Sequence, residues 1–349
     1  MRSSYMEEDV TLLLKDITGL VKPQPTKERE RLIQSGRHYS EMLPIEYVPT
    51  REYMEAYEDA LRVYARDTAQ AVGKLGDKII NAKGRDVVLV SLARAGIPVG
   101  ILLKRYIKFK YHEDVRHYSI SIIRGRGIDG NAMKYLLKYH SPEKLLFVDG
   151  WIGKGAILSE LKKDVAAYEG VSPEIAVLAD PAGVTELCGT HEDILIPSSC
   201  LNCTVSGLVS RTFLRDDIIG KDDFHGAVFY EELCGADLSY EFIKAIEKEF
   251  TLVSRVRDVR VEGSGIDEVQ EIAERFGITD INFIKPGIGE ATRVLLRRVP
   301  WKVLIDERYK GKRELLHLVR LAEEKNVPVE YYPMQHYKCC GIIKKLADA

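Results

Sequence analysis

The sequence predicts an α/β protein with two domains, the first built on a mostly parallel sheet that carries helices on both faces. The chain has 349 residues, which is too long for one ordinary domain and about right for two. From about residue 86 to residue 197, short runs of apolar and β-branched residues alternate with amphipathic segments. The same alternation begins again after residue 254, which indicates a second, smaller domain.

The composition excludes several classes of protein. With 45% hydrophobic and 30% charged residues, the chain can build buried cores and is not mainly disordered. A net charge of −2 excludes a uniformly basic nucleic-acid coat. The longest apolar run, Val87 to Leu103, is interrupted by Arg94, Gly96 and Pro98, so no membrane span is predicted. Six cysteines and an acidic N-terminus predict a cytoplasmic protein with reduced thiols.

The elements of the first domain follow a proline-punctuated N-terminal arm at residues 1–29, and the domain itself is predicted over 30–240. Helical periodicity, as in Tyr57, Ala60, Leu61 and Tyr64, alternates with short β-branched runs. The predicted helices cover residues 53–72, 97–107, 133–139 and 155–168. The predicted strands cover residues 86–92, 117–123, 145–149, 174–180 and 194–197.

The second domain is predicted over residues 252–349 as a small helix–sheet–helix unit. Its first helix, around residues 269–276, is expected to end at Gly277, because glycine readily takes the left-handed conformation that closes helices. Two more helices are predicted over residues 290–298 and 313–325. Strands are predicted over residues 281–284, 302–306 and 329–333.

The segment LLFVDGWIGKGA at residues 145–156 predicts a phosphate-binding turn. An apolar strand delivers Asp149 to its carboxyl end, glycines then permit a tight turn, and a helix follows at once. Convergent N–H groups and a helix N-terminus hold phosphate, and Lys154 would add positive charge. In isolation, each Gly-rich loop in this region is more commonly a solvated turn.

This segment resembles the phosphoribosyl pyrophosphate (PRPP) motif of type I phosphoribosyltransferases. The resemblance implies that Asp149 contacts ribose hydroxyls and that the turn holds the 5′-phosphate; Gly150 stands where that family has a second acid. Residues 92–96 resemble the pyrophosphate loop, and residues 124–131 could form a mobile lid. Mg²⁺ and PRPP are the cofactor and ligand implied. The implied phosphate, ribose and pyrophosphate contacts are Asp149, Gly150, Gly153, Lys154, Gly155, Ala156, Arg94, Ala95, Gly96, Arg124 and Arg126.

A cysteine-rich stretch offers three interpretations. Cys188 and His191, and Cys200 and Cys203, are each separated by two residues, a spacing that is compatible with a tetrahedral Zn²⁺ site. Cys200 could instead be a nucleophile with His191 or His225 as its base, which requires a lowered thiol pKa. The third interpretation is a buried cysteine with no chemical role.

This stretch, together with SGRHYSEMLPI at residues 35–45 and HGAVFYEEL at residues 225–233, resembles the cysteine protease StiP family from about residue 30 to residue 345. The family resemblance implies a type I phosphoribosyltransferase-like N-terminal domain, a C-terminal Pelota-type RNA-binding domain, and a place in bacterial stress or tellurite-resistance responses. It also makes proteolysis an alternative activity.

The segment IKPGIGEATRVLLRR resembles the RNA-contacting motif of Pelota and kink-turn-binding ribosomal proteins. That resemblance implies an RNA-binding surface of α/β/α type; the alternative is a domain used for packing or dimerisation. The implied RNA contacts are Lys285, Gly287, Gly289, Glu290, Arg293 and Arg297.

The function predicted from the sequence is a PRPP- or nucleotide-binding, phosphoribosyltransferase-like protein coupled to an RNA-binding domain. Two alternatives stay open. One is a cysteine protease with Cys200 as nucleophile, and the other is a non-catalytic nucleotide sensor that docks on RNA.

Overall fold

Helices and short buried strands alternate along the N-terminal part of the chain, as a computed structural model that describes residues 1–252 and 262–345 shows. This confirms the predicted α/β class. Its strands are β1 (Thr11–Leu12), β2 (Lys15–Asp16), β3 (Val88–Leu92), β4 (Arg116–Ile120), β5 (Ile122–Ile123), β6 (Gly127–Ile128), β7 (Leu145–Trp151), β8 (Ile175–Ala179), β9 (Cys188–Thr190) and β10 (Gly226–Ala227). Its helices are α1 (Thr26–Gln34), α2 (Arg51–Lys83), α3 (Gly96–Tyr111), α4 (Gly130–Tyr139), α5 (Ala156–Val165) and α6 (Ser239–Glu247).

The central sheet has the strand order β1-β4-β3-β7-β8-β9, and every neighbouring pair is parallel. Because side chains alternate along a strand, β7 supplies both faces. Leu146 and Val148 pack in the core with α2, α3 and α6. Leu145 and Phe147 pack on the other side with α4 and α5. The predicted coverage of both faces is therefore confirmed.

A strand of the N-terminal arm was not predicted, and one predicted strand of this domain is absent. The residues 1–29 arm is partly ordered sheet, because Thr11 pairs with Tyr118 at the edge of the central sheet. Residues 194–197 form no strand. Ile196 is buried in the core, but Pro197 opens a 3₁₀ turn that packs on α2. A short apolar run is buried in both cases, so its sequence cannot distinguish a strand from a turn.

The C-terminal domain has a mixed sheet in the order β11-β14-β12-β13. Its strands are β11 (Ile284–Pro286), β12 (Pro300–Ile305), β13 (Val329–Tyr331) and β14 (Cys339–Ile343). Its helices are α7 (Gly265–Arg275), α8 (Ile288–Arg297) and α9 (Leu316–Glu324). β14 was not predicted, yet it pairs antiparallel with both β11 and β12. The predicted strand at 281–284 is instead a 3₁₀ turn at Ile281–Phe283 followed by β11.

The two domains share one hydrophobic core, which extends from α2 of the first to α8 and α9 of the second. Two tyrosines of α2 also donate hydrogen bonds across the boundary, Tyr53 to the Leu296 carbonyl at 2.5 Å and Tyr64 to the Glu314 carbonyl at 3.2 Å. This packing turns α8 toward the N-terminal domain. Along residues 1–252 and 262–345, no helix has the length and apolar character that crossing a membrane requires.

Candidate functional site

The turn between β7 and α5 lines a cavity of about 310 Å³. β7 continues to Trp151, two residues past the predicted end, and Gly155 then takes φ +75° immediately before α5 begins at Ala156. A side chain at that φ would be strained, so the turn depends on glycine. The residues of the predicted phosphate turn that line this cavity are Asp149, Gly153, Lys154, Gly155 and Ala156.

Asp149 lies at the boundary between this cavity and a larger one of about 740 Å³. Its Oδ1 accepts a hydrogen bond from the N–H of Gly150 at 2.8 Å. Burial raises the pKa of the carboxyl to about 6, against the opposing effects of that N–H and of the Arg293 charge. The carboxyl is therefore mostly ionised at neutral pH and available to a ligand.

Lys154 lines the cavity, and its ammonium group is held by the C-terminal domain. Its Nζ donates to the carbonyls of Ile281 at 2.6 Å and Ile284 at 3.0 Å, so the side chain ties the turn to the C-terminal domain. Burial and the nearby Lys285 charge lower its pKa to about 8. The cationic wall opposite the turn comes from Arg124, Lys285 and Arg293, which line the same cavity.

The predicted pyrophosphate loop forms one wall of the larger cavity through Leu92, Ala93, Arg94 and Ala95. The Arg94 guanidinium donates to the Val209 carbonyl at 3.0 Å and to Glu46 at 3.2 Å. Gly96 is the first residue of α3 and does not take a positive φ. A Cβ there would lie 2.4 Å from the Val148 carbonyl, so glycine is needed for the close approach of α3 to β7.

The arginines predicted to form a lid lie on the hairpin of β5 and β6. Arg124 lines the smaller cavity and donates to Asn282 of the C-terminal domain at 2.9 Å. Arg126 instead pairs with Glu41, and it is not among the residues that line either cavity. The Gly125 N–H donates to Glu160 at 2.9 Å, so the hairpin is anchored rather than free.

The four residues considered for zinc are not brought together. Cys188 lies beside His191, whereas the Cys200 thiol is 3.8 Å from the Ala56 carbonyl. Burial raises the pKa of Cys200 and of Cys203 to about 12, which opposes a reactive thiolate. His225 contacts Ser121 at 2.8 Å. Within the described ranges, no three His, Cys, Asp or Glu side chains are placed to hold a metal ion.

A different thiol–imidazole pair lies nearby. The Cys188 sulfur is 3.4 Å from Nε2 of His191, and Nδ1 of that ring is 3.0 Å from the Asp180 carbonyl and 3.8 Å from its carboxylate. All three residues are buried. The sulfur is also 3.7 Å from Nδ1, so it lies beside both ring nitrogens and not in line with the lone pair of Nε2. The Cys-x-x-His spacing signalled this pair, but nothing local connected Asp180 to it.

The predicted RNA-binding residues lie at the domain boundary. Asp193 of the N-terminal domain accepts a hydrogen bond from the N–H of Ile288, the first residue of α8, at 2.9 Å. Gly287 is buried beneath this carboxylate, and Gly289 lies against Ser199. An RNA phosphate can therefore reach the N-terminus of α8 only if Asp193 is displaced.

The basic residues of α8 and β11 face inward and line the larger cavity: Lys285, Arg293 and Arg297. Glu290 lines it as well and pairs with Arg293 at 3.2 Å. From the N-terminal domain, Arg211 and Glu46 also line it; Glu46 was not predicted, because only the tertiary fold brings it to this cavity. The structure thus joins the predicted phosphate turn to the residues predicted to bind RNA.

Comparison with known proteins assigns both parts of the chain to families. Residues 3–247 match the family described as tellurite-like stress resistance cysteine protease StiP, and residues 263–345 match the PELOTA RNA binding domain. A curated protein of Acinetobacter baylyi, cysteine protease StiP, is 36% identical over 366 residues, which cover 98% of this chain and 94% of that protein.

Solved structures give weaker matches. A hypoxanthine-guanine phosphoribosyltransferase of Bacillus anthracis is 19% identical, with a TM-score of 0.26, over 35% of this chain and 71% of that one. A Neisseria gonorrhoeae hypothetical protein with bound ppGpp is 15% identical, with a TM-score of 0.24, over 33% of this chain and 67% of that one. Similarities of this size carry no conclusion about function.

Proposed function

Because the chain belongs to the StiP family, we propose that its stress-related function depends on a PRPP- or nucleotide-binding cleft between its two domains. The observation that supports this most is the turn at residues 153–156, which lines a cavity with Asp149 at one end. Backbone N–H groups before a helix bind phosphate. The Asp149 carboxylate, on the strand that leads into the turn, is placed to accept hydrogen bonds from ribose hydroxyls. Arg124 and Lys285 supply positive charge opposite the turn.

The reaction proposed for this cleft is the attack of a nucleophile at ribose C1 with departure of pyrophosphate. Charge develops on the leaving group, so cationic donors aimed at it contribute more than acid–base residues do. Arg94 lines the larger cavity beside Asp149, where such a leaving group would lie. Exclusion of water is aided by the C-terminal domain, because α8 covers this side of the cavity.

The residues present fit a Mg²⁺ ion that the ligand's phosphates carry into the cleft. Mg²⁺ keeps several waters and is commonly held by one or two carboxylates together with substrate phosphates. Asp149 and Glu290 are the carboxylates that line both cavities. When bound, the ion would supply charge neutralisation of the pyrophosphate.

The test is isothermal titration of PRPP with Mg²⁺ into the full chain, followed by a pyrophosphate-release assay. We expect binding that is lost in Asp149→Ala, with pyrophosphate release if the protein is a transferase. Binding without release in the presence of candidate bases would identify a sensor, the alternative that Gly150 favours. If the wild type binds neither PRPP nor a nucleotide, the transferase and the sensor are both refuted.

RNA binding by the C-terminal domain is part of this proposal, because residues 263–345 match an RNA-binding family. The closed arrangement places Asp193 on the N-terminus of α8. We therefore propose that RNA docks on this surface when the domains separate, which requires the shared core of α2, α8 and α9 to open.

Proteolysis is the second candidate, and one observation besides the name of the Acinetobacter relative favours it. Cys188 and His191 form a thiol–imidazole contact of 3.4 Å, with Asp180 beside the ring. Transfer of the thiol proton to the imidazole would make the sulfur nucleophilic, and it requires the ring to turn the lone pair of Nε2 toward the sulfur. We expect any peptide cleavage to be lost in Cys188→Ser and kept in Cys200→Ser. If peptide cleavage is lost in Cys200→Ser but kept in Cys188→Ser, Cys200 is the nucleophile.

A further inference from the structure

We infer that α8 of the C-terminal domain helps to form a second phosphate subsite in the larger cavity, in which Arg297 of α8 and Arg211 of the N-terminal domain bind the anion together. This rests on the proposed function for the ligand class and deepens it. The first subsite is the turn at residues 153–156. The second lies in the cavity of about 740 Å³ that the two domains enclose.

The charge balance of the cavity favours an anion. Basic side chains outnumber acidic ones on its wall, and two of the three carboxylates there are paired with arginines. Glu46 pairs with Arg94 at 3.2 Å, Glu290 pairs with Arg293 at 3.2 Å, and Asp149 accepts the N–H of Gly150. Across the described parts of the chain, neither Arg211 nor Arg297 lies in an ion pair with a carboxylate.

Both arginines hold unused donors in fixed positions. Arg211 donates from Nη2 to the carbonyls of Tyr39 and Met42, each at 3.2 Å, and Arg297 donates from Nη2 to the Cys200 carbonyl at 3.1 Å. The Nε of each is buried without an acceptor among the residues that the structure describes. Each guanidinium also lies over a tyrosine ring, Tyr39 at 5.7 Å and Tyr53 at 5.9 Å. A phosphate in the cavity would reach these Nε–H groups only if the guanidinium groups turned toward it, because each Nε has almost no accessible surface.

The electrostatics of the cavity agree with this geometry. Burial, together with the charges of neighbouring arginines, lowers the pKa of Arg211 and of Arg297 to about 10. Both side chains stay charged at neutral pH, so a bound phosphate would reduce the repulsion among the positive charges that line the cavity.

The position of the subsite limits the source of the phosphate. The two cavities share Asp149, Lys285 and Arg293, so a sugar phosphate at the turn and a phosphate at Arg297 would belong to one continuous site. The second phosphate is either the pyrophosphate of PRPP itself or a phosphate on a second molecule, such as an anionic acceptor.

The test is isothermal titration of inorganic pyrophosphate, ribose 5-phosphate and PRPP, each with Mg²⁺, into wild type, Arg297→Gln, Arg211→Gln and Arg275→Gln. Arg275 is exposed on α7 and outside the cavity, so its variant controls for the loss of one positive charge. We expect Arg297→Gln and Arg211→Gln to weaken pyrophosphate binding at least tenfold while ribose 5-phosphate binding and thermal melting stay near wild type. Arg297→Lys should recover part of the loss.

These titrations distinguish the two sources of the second phosphate, and they test the subsite separately from the proposed function. Weakened PRPP binding in Arg297→Gln assigns the subsite to the pyrophosphate of PRPP. If PRPP binding is unchanged in Arg297→Gln, and inorganic phosphate binds to PRPP-saturated wild type but not to PRPP-saturated Arg297→Gln, the subsite holds a phosphate of a second molecule. Wild-type affinity for pyrophosphate and phosphate in folded Arg297→Gln and Arg211→Gln overturns the subsite. If pyrophosphate binds in a way that depends on Arg297 and Arg211, but neither ribose 5-phosphate nor PRPP binds, the subsite is supported and the proposed function is refuted.

Discussion

Asp149 has opposite effects on stability and on ligand binding. Its carboxyl is buried at the boundary of both cavities, and burial raises its pKa from 3.8 to about 6. Between these two values the folded protein binds more protons than the unfolded chain, so this group lowers stability as the pH rises from about 4 to about 6. A residue with this cost is expected where a charge is needed for binding.

We therefore expect Asp149→Asn to raise the free energy of unfolding at pH 7 by about 1–3 kcal/mol, since one pKa unit corresponds to about 1.4 kcal/mol. The gain should vanish below about pH 4, where the wild-type carboxyl is protonated in both states. Urea denaturation at pH 4 and pH 7 measures this. In the same variant PRPP binding should fall at least tenfold. Lower stability at pH 7 would show that the carboxylate is structural.

Cys200 illustrates how burial decides reactivity. The thiol is fully buried, and that burial raises its pKa to about 12, whereas Cys234 is exposed. We expect iodoacetamide at pH 8 to label Cys234 in the native protein and to leave Cys200 unmodified until the protein is unfolded. Peptide mass spectrometry measures both sites in one sample. Labelling of native Cys200 as fast as Cys234 would reopen its role as a nucleophile.

At the scale of elements, the turn from β7 to α5 contains two glycines with different requirements. Gly155 has φ +75°, which a side chain rarely adopts, whereas a Cβ on Gly150 would meet only the Ala95 carbonyl at an ordinary 3.8 Å. We expect Gly155→Ala to cost about 1–2 kcal/mol of stability and to weaken ribose 5-phosphate binding, because the turn must change its backbone. Gly150→Ala is the matched control and should keep both properties. Chemical denaturation and titration distinguish them, and equal behaviour of the two variants would contradict this role for the turn.

Elements with a strong local pattern were predicted well, and those that depend on distant partners were not. β3 and β7 were recognisable as buried runs, although β7 extends to Trp151. The predicted end of α2 was wrong by eleven residues, 72 against 83, because Gly73 and Gly76 resemble helix breakers. The Tyr106 ring packs where their side chains would be, so the helix needs glycine there for a neighbour and not for an end. β14 is fixed by pairing with β11 and β12, which no local signal reveals.

At the scale of the whole molecule, the packing of the domains determines what each motif can contact. The phosphate turn and the α8 motif were each found from sequence, but their meeting at one cleft follows from the shared core of α2, α8 and α9. The same packing buries Gly287 beneath Asp193. The sequence could therefore suggest a ligand site and an RNA site, but not that they share Lys285 and Arg293.

Asp193 provides a direct test of the closed arrangement. Its carboxylate accepts the N–H groups of Ile288 and Lys338, each at 2.9 Å, and so occupies the place that an RNA phosphate would take on α8. We expect Asp193→Ala to bind a fluorescent structured RNA at least fivefold more tightly than wild type, with affinity that falls as salt rises. Asp267→Ala, at an exposed position of α7, is the control variant. Fluorescence anisotropy measures this, and equal affinity of Asp193→Ala and wild type would show that Asp193 does not block RNA.

The central claim is that the turn at residues 153–156 binds a sugar 5′-phosphate, and a crystal structure of the full chain with ribose 5-phosphate tests it most directly. We expect the phosphate within hydrogen-bond distance of the backbone N–H groups of that turn, with ribose hydroxyls at Asp149. Ribose 5-phosphate that binds away from the turn, or a turn that stays empty at saturating ligand, would contradict it.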